Sequence, residues 1–252
     1  MVLIHSLRKD LNGMNNKLYP RGRRAIPDEL QQFGRHIVYA EGIRTEPKYI
    51  ESIKKEIAAK YNRKPNEIEI VIGNEDKSFN TIGLINYGLK DIAKRLNRQE
   101  VINHVWFFFD KDDFEKDDYN RACNREKELN NSDDLNSDDF KYNKETGISY
   151  HMCYSNEAFE LWFLLYFEYV DSQLTRNNYI EMLNNNPKLK QLGFKYEKTK
   201  DDMHQILKKA GGSIERAIKF AEKLTKENGT SNPSCKVYEF ANYFLHYMND
   251  NK

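Results

Sequence analysis

Cysteine is scarce: Cys123, Cys153 and Cys235 are the only three in 252 residues, and they lie far apart. No Cys-x-x-Cys pair occurs, so neither a zinc ribbon nor a disulfide framework is indicated. No apolar run approaches the ~20 residues of a membrane-spanning helix. The first residues lack the apolar core of a secretory leader, so a cytoplasmic chain with no membrane partner is expected. There is no Gly-Lys-Ser/Thr phosphate loop and no paired-glycine nucleotide fingerprint, which argues against ATP binding by this chain. Net charge is nearly absent too, at +1, although 31% of residues are charged.

The distribution of charge says more than its sum. Residues 1–24 hold six bases against Asp10, and residues 110–145 hold thirteen acids against seven bases. Residues 188–226 hold eleven bases against five acids. An acidic centre between basic flanks suits a metal site acting on a polyanion, but it also suits ordinary solvated helix faces.

The most informative stretch is Val105-Trp106-Phe107-Phe108-Phe109, which runs straight into Asp110 and Asp112. A short, aromatic-rich apolar run reads as a buried strand. Its acids then sit at the C-terminal end, where open α/β sheets place their crevices. His36-Ile37-Val38-Tyr39-Ala40 repeats the form and runs into Glu41-Gly42. Further strands are expected near 68–72 and 148–154, and helices near 47–61, 81–97 and 118–129. This alternation predicts a parallel sheet with right-handed crossovers. The expected organisation is a basic arm over 1–34, an α/β catalytic domain over 35–171 and a helical region over 172–252. From 172 onward only helices and loops are expected. The segment 157–169 is too apolar for a surface helix, so it belongs to the core or to an interface with a second copy or a partner.

Three carboxylates converging on one point repel unless a cation lies between them. Glu41, Asp110 and Asp112 are therefore the candidate metal ligands. Oxygen donors of this kind suit Mg²⁺ or Mn²⁺. The alternative is that Asp110 caps the next helix and Asp112 faces water. Glu46 is a second candidate ligand, although an acid in a first helical turn is favoured by the dipole anyway. Glu157 and Glu160 follow the fourth strand onto the same sheet edge, and either also serves as a helix acid or an ion-pair member. Lys198 is a candidate to neutralise a phosphate or a leaving oxygen, although a lone lysine on a helical region more often faces solvent. Arg21, Arg23, Arg24, Arg44 and Lys200 are candidate nucleic-acid contacts, and each also reads as a surface charge. His36, His104 and His151 lie beside or within strands, where single histidines are more often structural.

A Glu after the first strand and Asp-x-Asp after the third resemble the Toprim fold. A wider resemblance rests on Val38-Tyr39-Ala40-Glu41-Gly42 with Thr45-Glu46-Pro47, on Phe109-Asp110-Lys111-Asp112-Asp113, on Ser155-Asn156-Glu157-Ala158-Phe159-Glu160-Leu161-Trp162, and on Asn232-Pro233-Ser234. Together these resemble the RloB-like family, encoded in bacterial restriction and abortive-infection loci. The resemblance implies a Toprim-like parallel sheet flanked by helices. It also implies a Mg²⁺-dependent nuclease effector acting on DNA or structured RNA such as tRNA, with an RloA-like ATPase encoded alongside. By analogy with OLD-type nucleases it maps further ligands onto Glu46 and onto Glu157 or Glu160. The competing expectations are a nucleotidyl-transfer or strand-passage Toprim enzyme and a non-catalytic partner of a defence ATPase.

Overall fold

The computed structural model describes residues 30, 33–74, 77–111, 116–131 and 147–249. Gly34–Lys252 form one compact unit. Of the unit before it, Met1–Phe33, only residues 30 and 33 are described. The expected basic arm, with Arg21, Arg23 and Arg24, therefore lies outside the described residues, as does Asp112.

The sheet has five strands: β1 (His36–Ala40), β2 (Ile70–Ile72), β3 (His104–Asp110), β4 (Ser149–Asn156) and β5 (Ser234–Cys235). Their order is β2-β1-β3-β4-β5. The first four are mutually parallel, and β5 runs antiparallel to β4. This is an α/β architecture, consistent with the Toprim-like fold that the resemblance implies. Central parallel strands are covered on both faces and so read as continuous apolar runs. That is the reason β1 and β3 stand out in the sequence, and every residue of β1 is buried.

Nine helices flank the sheet among the described residues. They are α1 (Thr45–Lys60), α2 (Thr81–Asn97), α3 (Lys116–Asn131), α4 (Glu160–Leu165), α5 (Arg176–Asn185), α6 (Pro187–Gln191), α7 (Met203–Lys209), α8 (Ile214–Asn228) and α9 (Val237–Met248). One face of the sheet presents Ile37, Tyr39, Val105, Phe107 and Phe109 to Leu84, Ile85 and Ile92 of α2 and to Tyr119 and Ala122 of α3. Gly88 permits the close approach of α2, since a Cβ there would lie 2.4 Å from the Phe107 ring. The opposite face carries Val38, Trp106 and Phe108, by strand alternation. Here Phe240 of α9 meets the Trp106 and Phe108 rings edge-on at 5.2 and 5.1 Å.

Two expectations are corrected. The segment 172–252 is not helices and loops alone, because β5 joins the sheet. Two residues are too few to show a strand period. The apolar helix is shorter than expected, and of the two settings expected for it, core or interface, it takes the core. Leu161 through Tyr166 are completely buried, with α5 and α8 packed over α4.

Three histidines cluster on the Trp106 face. His36 Nδ1 accepts from Trp106 Nε1 at 3.1 Å, and His104 Nδ1 lies 3.1 Å from His151 Nε2. The His151 ring stacks on Trp106 at 3.8 Å. Burial, followed by the charges of His104 and Lys236, pushes the His151 imidazole down to about 3. Above the unfolded value of 6.5, His151 is neutral in both states and contributes no pH dependence. Between 6.5 and about 3 the unfolded chain takes up a proton that the folded chain refuses, so stability falls as pH falls. Urea melts from pH 8 to pH 4 should therefore show the wild type losing stability relative to His151→Phe only below about pH 6.5, by up to about 1.4 kcal/mol per pH unit. A difference that stays constant across the range would refute the neutral buried imidazole.

Candidate active site at the sheet edge

Register builds the centre of the site. Ala40 pairs with Phe108, so the residue after β1 arrives beside the end of β3. The Glu41 amide extends the ladder by donating to Phe108 O at 2.9 Å. Its carboxylate turns back, and Oε2 accepts from the Asp110 amide at 3.1 Å. Asn74, buried after β2, holds the strand end in place. Its Oδ1 accepts from the Ala40 amide at 2.9 Å, and its Nδ2 donates to Ala40 O at 2.5 Å and Lys77 O at 2.9 Å. Glu41 O in turn accepts from Ser78 Oγ at 3.1 Å and the Phe79 amide at 3.3 Å.

Asp110 is 5% exposed and Glu160, on α4, is 2% exposed. Burying two carboxylates this deeply is costly unless a cation meets them. Arg176, the first residue of α5, does so. Its Nη2 donates to Asp110 Oδ2 at 2.8 Å, and its Nε lies 3.5 Å from Glu160 Oε2. Glu160 Oε1 accepts from Tyr196 Oη at 2.8 Å. A capping box at Thr175 and Asn178 fixes the start of α5 and so where Arg176 leaves the backbone.

Glu46 lies in the first turn of α1 and is buried. Desolvation, reinforced by the Glu160 charge, raises its carboxyl to about 7, while Arg176 and Lys198 pull the other way. Gly42 leaves room for this carboxylate, since a Cβ there would lie 3.0 Å from Glu46 Oε2. Lys198 reaches the site on a loop clasped to α1: Lys48 Nζ donates to Thr199 O and Asp201 Oδ1, both at 2.6 Å.

Glu41, Glu46, Asp110, Glu160, Arg176 and Lys198 line a cleft of about 320 Å³ at the C-terminal edge of the sheet. Of the residues singled out by sequence, Glu41, Arg44, Glu46, Asp110, Glu160 and Lys198 line it. Glu157 does not; its Oε2 lies 3.4 Å from Asn232 Nδ2. Lys200 is exposed and sits 5.7 Å over the Phe194 ring. Arg176, Tyr196 and Asn74 are the residues that sequence reasoning missed. Only the capping pattern at Thr175 marks Arg176, and it marks a helix start, not a site.

The donor set is carboxylate oxygen, the chemistry of a hard cation. Among the described residues no group of three or more His, Cys, Asp and Glu side chains gathers at metal-binding distance. Mg²⁺ does not require one: it keeps several waters and is commonly held by one or two carboxylates plus substrate phosphates. Glu41 and Asp110 are two carboxylates that line this cleft.

A family model described as RloB-like protein matches residues 36–243. A search of curated proteins returns no match, and neither does a search of solved structures.

The Glu46 environment predicts a pH-dependent penalty. Above about pH 7 the folded chain carries a buried carboxylate, and as pH falls from there toward 4.5 it takes up a proton that the unfolded chain does not. Glu46→Gln should then stabilise the metal-free protein at pH 8, on the order of 3 kcal/mol. The gain should fade toward pH 4.5. Thermal or urea melts check this, and a gain that grew on acidification would contradict the assigned burial penalty.

Proposed function

The chain belongs to the RloB-like protein family, which is associated with bacterial defence, and on that footing we propose that it is a nuclease effector. It hydrolyses phosphodiesters of DNA or of structured RNA such as tRNA, with Mg²⁺ or Mn²⁺ as cofactor. The observation that carries this reading is the pairing of Glu41 with Asp110 at the C-terminal edge of a parallel sheet, in a cleft that also holds Lys198, Arg44 and Arg176.

Glu41 and Asp110 would hold the metal, joined by Asp112. A divalent ion bound there supplies an activated water and offsets charge on the reacting phosphate. The remaining work falls to the chain's own groups. Lys198 neutralises the leaving oxygen. Arg44, at the mouth of the cleft, receives a neighbouring phosphate. Glu46, with its carboxyl near 7, is placed to exchange a proton close to neutral pH. The chain carries no nucleotide-binding loop, and an RloA-like ATPase encoded alongside would supply control.

One observation favours a second reading. Arg176 already neutralises Asp110 and Glu160, as it would in a non-catalytic partner whose acids are structural. Purified protein, with and without the ATPase, incubated with labelled DNA and tRNA in Mg²⁺ or chelator, separates the two. Cleavage that requires Mg²⁺, and that falls to background in Glu41→Gln and Asp110→Asn while circular dichroism is unchanged, supports the nuclease. Full cleavage by both variants would end the catalytic assignment. No cleavage under any combination would favour the structural reading.

A further inference from the structure

Arg176 joins two acids that differ in what else they do. Asp110 stands at the strand end, one hydrogen bond from Glu41 through its backbone. Glu160 sits deeper, and its second oxygen is held by Tyr196. The guanidinium meets Asp110 by a hydrogen bond of 2.8 Å and Glu160 by a looser ion pair of 3.5 Å. Arginine stays charged at any working pH, so it cannot leave the acids by losing its proton. It can leave only by rotating away or by being outcompeted for the carboxylate.

We propose that Arg176 is the built-in counter-cation of this cleft, holding Asp110 until a divalent cation takes that carboxylate and then remaining on Glu160. The inference rests on the metal-site reading above. Two observations give it direction. The start of α5 is fixed by its Thr175–Asn178 cap, so the exchange is assigned to the torsions of the Arg176 side chain. Glu160, kept in place by Tyr196, provides a second position for the guanidinium within the cleft. Released from Asp110, its Nη2 donor would be available to a substrate phosphate in the same cleft. Arg176 is thus a positioning residue for the metal-free cleft and becomes a phosphate contact in the loaded one.

Competition between the two cations makes the test independent of cleavage. Mn²⁺ titrations by calorimetry and thermal-shift measurements on the full chain compare wild type with Arg176→Gln, Arg176→Lys and Asp110→Asn. Arg176→Gln should melt lower without metal, bind Mn²⁺ more tightly by on the order of ten-fold, and gain more in Tm on adding Mn²⁺. Arg176→Lys, which keeps the charge but cannot fork between two acids, should fall between. Asp110→Asn should lose the Mn²⁺ response. If Arg176→Gln folds only when Mn²⁺ is present, the proposal is supported, and Arg176→Lys carries the affinity comparison. Wild-type or weaker Mn²⁺ affinity in the folded arginine variants overturns the counter-cation role while leaving the metal site standing. No Mn²⁺ binding by any folded protein overturns both.

Discussion

The parallel pairing of β1 with β3 is the constraint on which the site depends. It joins Glu41 to Asp110 across 69 residues of chain. It does so through strand register, which a one-residue slip would invert for every side chain on both faces. Register is held firmly here because both faces are buried: Tyr39 and Phe107 stack on one side at 5.4 Å, and Trp106 and Phe108 pack under α9 on the other. The aromatic content of β3 therefore has a positional role beyond the hydrophobic effect.

Placing acids at that edge creates a charge problem that the sheet cannot solve alone. The compensating groups come from the far end of the chain. Arg176 opens α5, Tyr196 and Lys198 ride the loop between α6 and α7, and ion pairs from Lys48 to Asp201 and from Lys55 to Asp202 tie that loop to α1. The helical region is thus part of the cleft and not an appendage to it. A buried ion pair contributes little net stability once desolvation is counted, whereas removing one partner is strongly destabilising. The Asp110–Arg176–Glu160 arrangement is better understood as a means of keeping buried carboxylates at the cleft than as a source of fold stability.

The parts legible in the sequence were those with a local signal. β1, β3 and the acids at their ends are apolar runs that stop at a charge, and α1 and α2 show helical spacing of apolar residues. The burial of α4 followed from its lack of any polar face, although its length did not, because the chain leaves the helix after Leu165 without a proline or a glycine to mark the exit. What could not be read were interactions set by tertiary direction. Arg176 resembles any other arginine at a helix start, and only the packing of α5 against α4 aims it at Asp110. Asn74 looks like a turn residue and is in fact the clamp on Ala40. β5 is invisible because two residues have no period, and the break between α5 and α6 follows from Pro187 in the first turn of α6 and the capping Asn186 before it.

The same two strands carry opposite electrostatic solutions at their two ends. At the C-terminal end a cation meets the acids, with Arg176 paired to Asp110 and Glu160, while burial of Glu46 favours its protonated form. At the N-terminal end His36, His104 and His151 lie against Trp106 and Tyr243, and burial lowers the affinity of His104 and His151 for a proton. A group that is neutral by desolvation needs only hydrogen bonds, so the histidines interlock with one another and with Trp106. A group that must stay charged needs a counter-charge, so the acids recruit distant side chains. Val105 to Phe109 separate the two ends with apolar bulk. Substitutions at the histidine end should therefore reach the cleft only through strand packing and not through charge. Acid destabilisation arising at the histidines and the pairing of Arg176 with the carboxylates are therefore separable properties of one sheet.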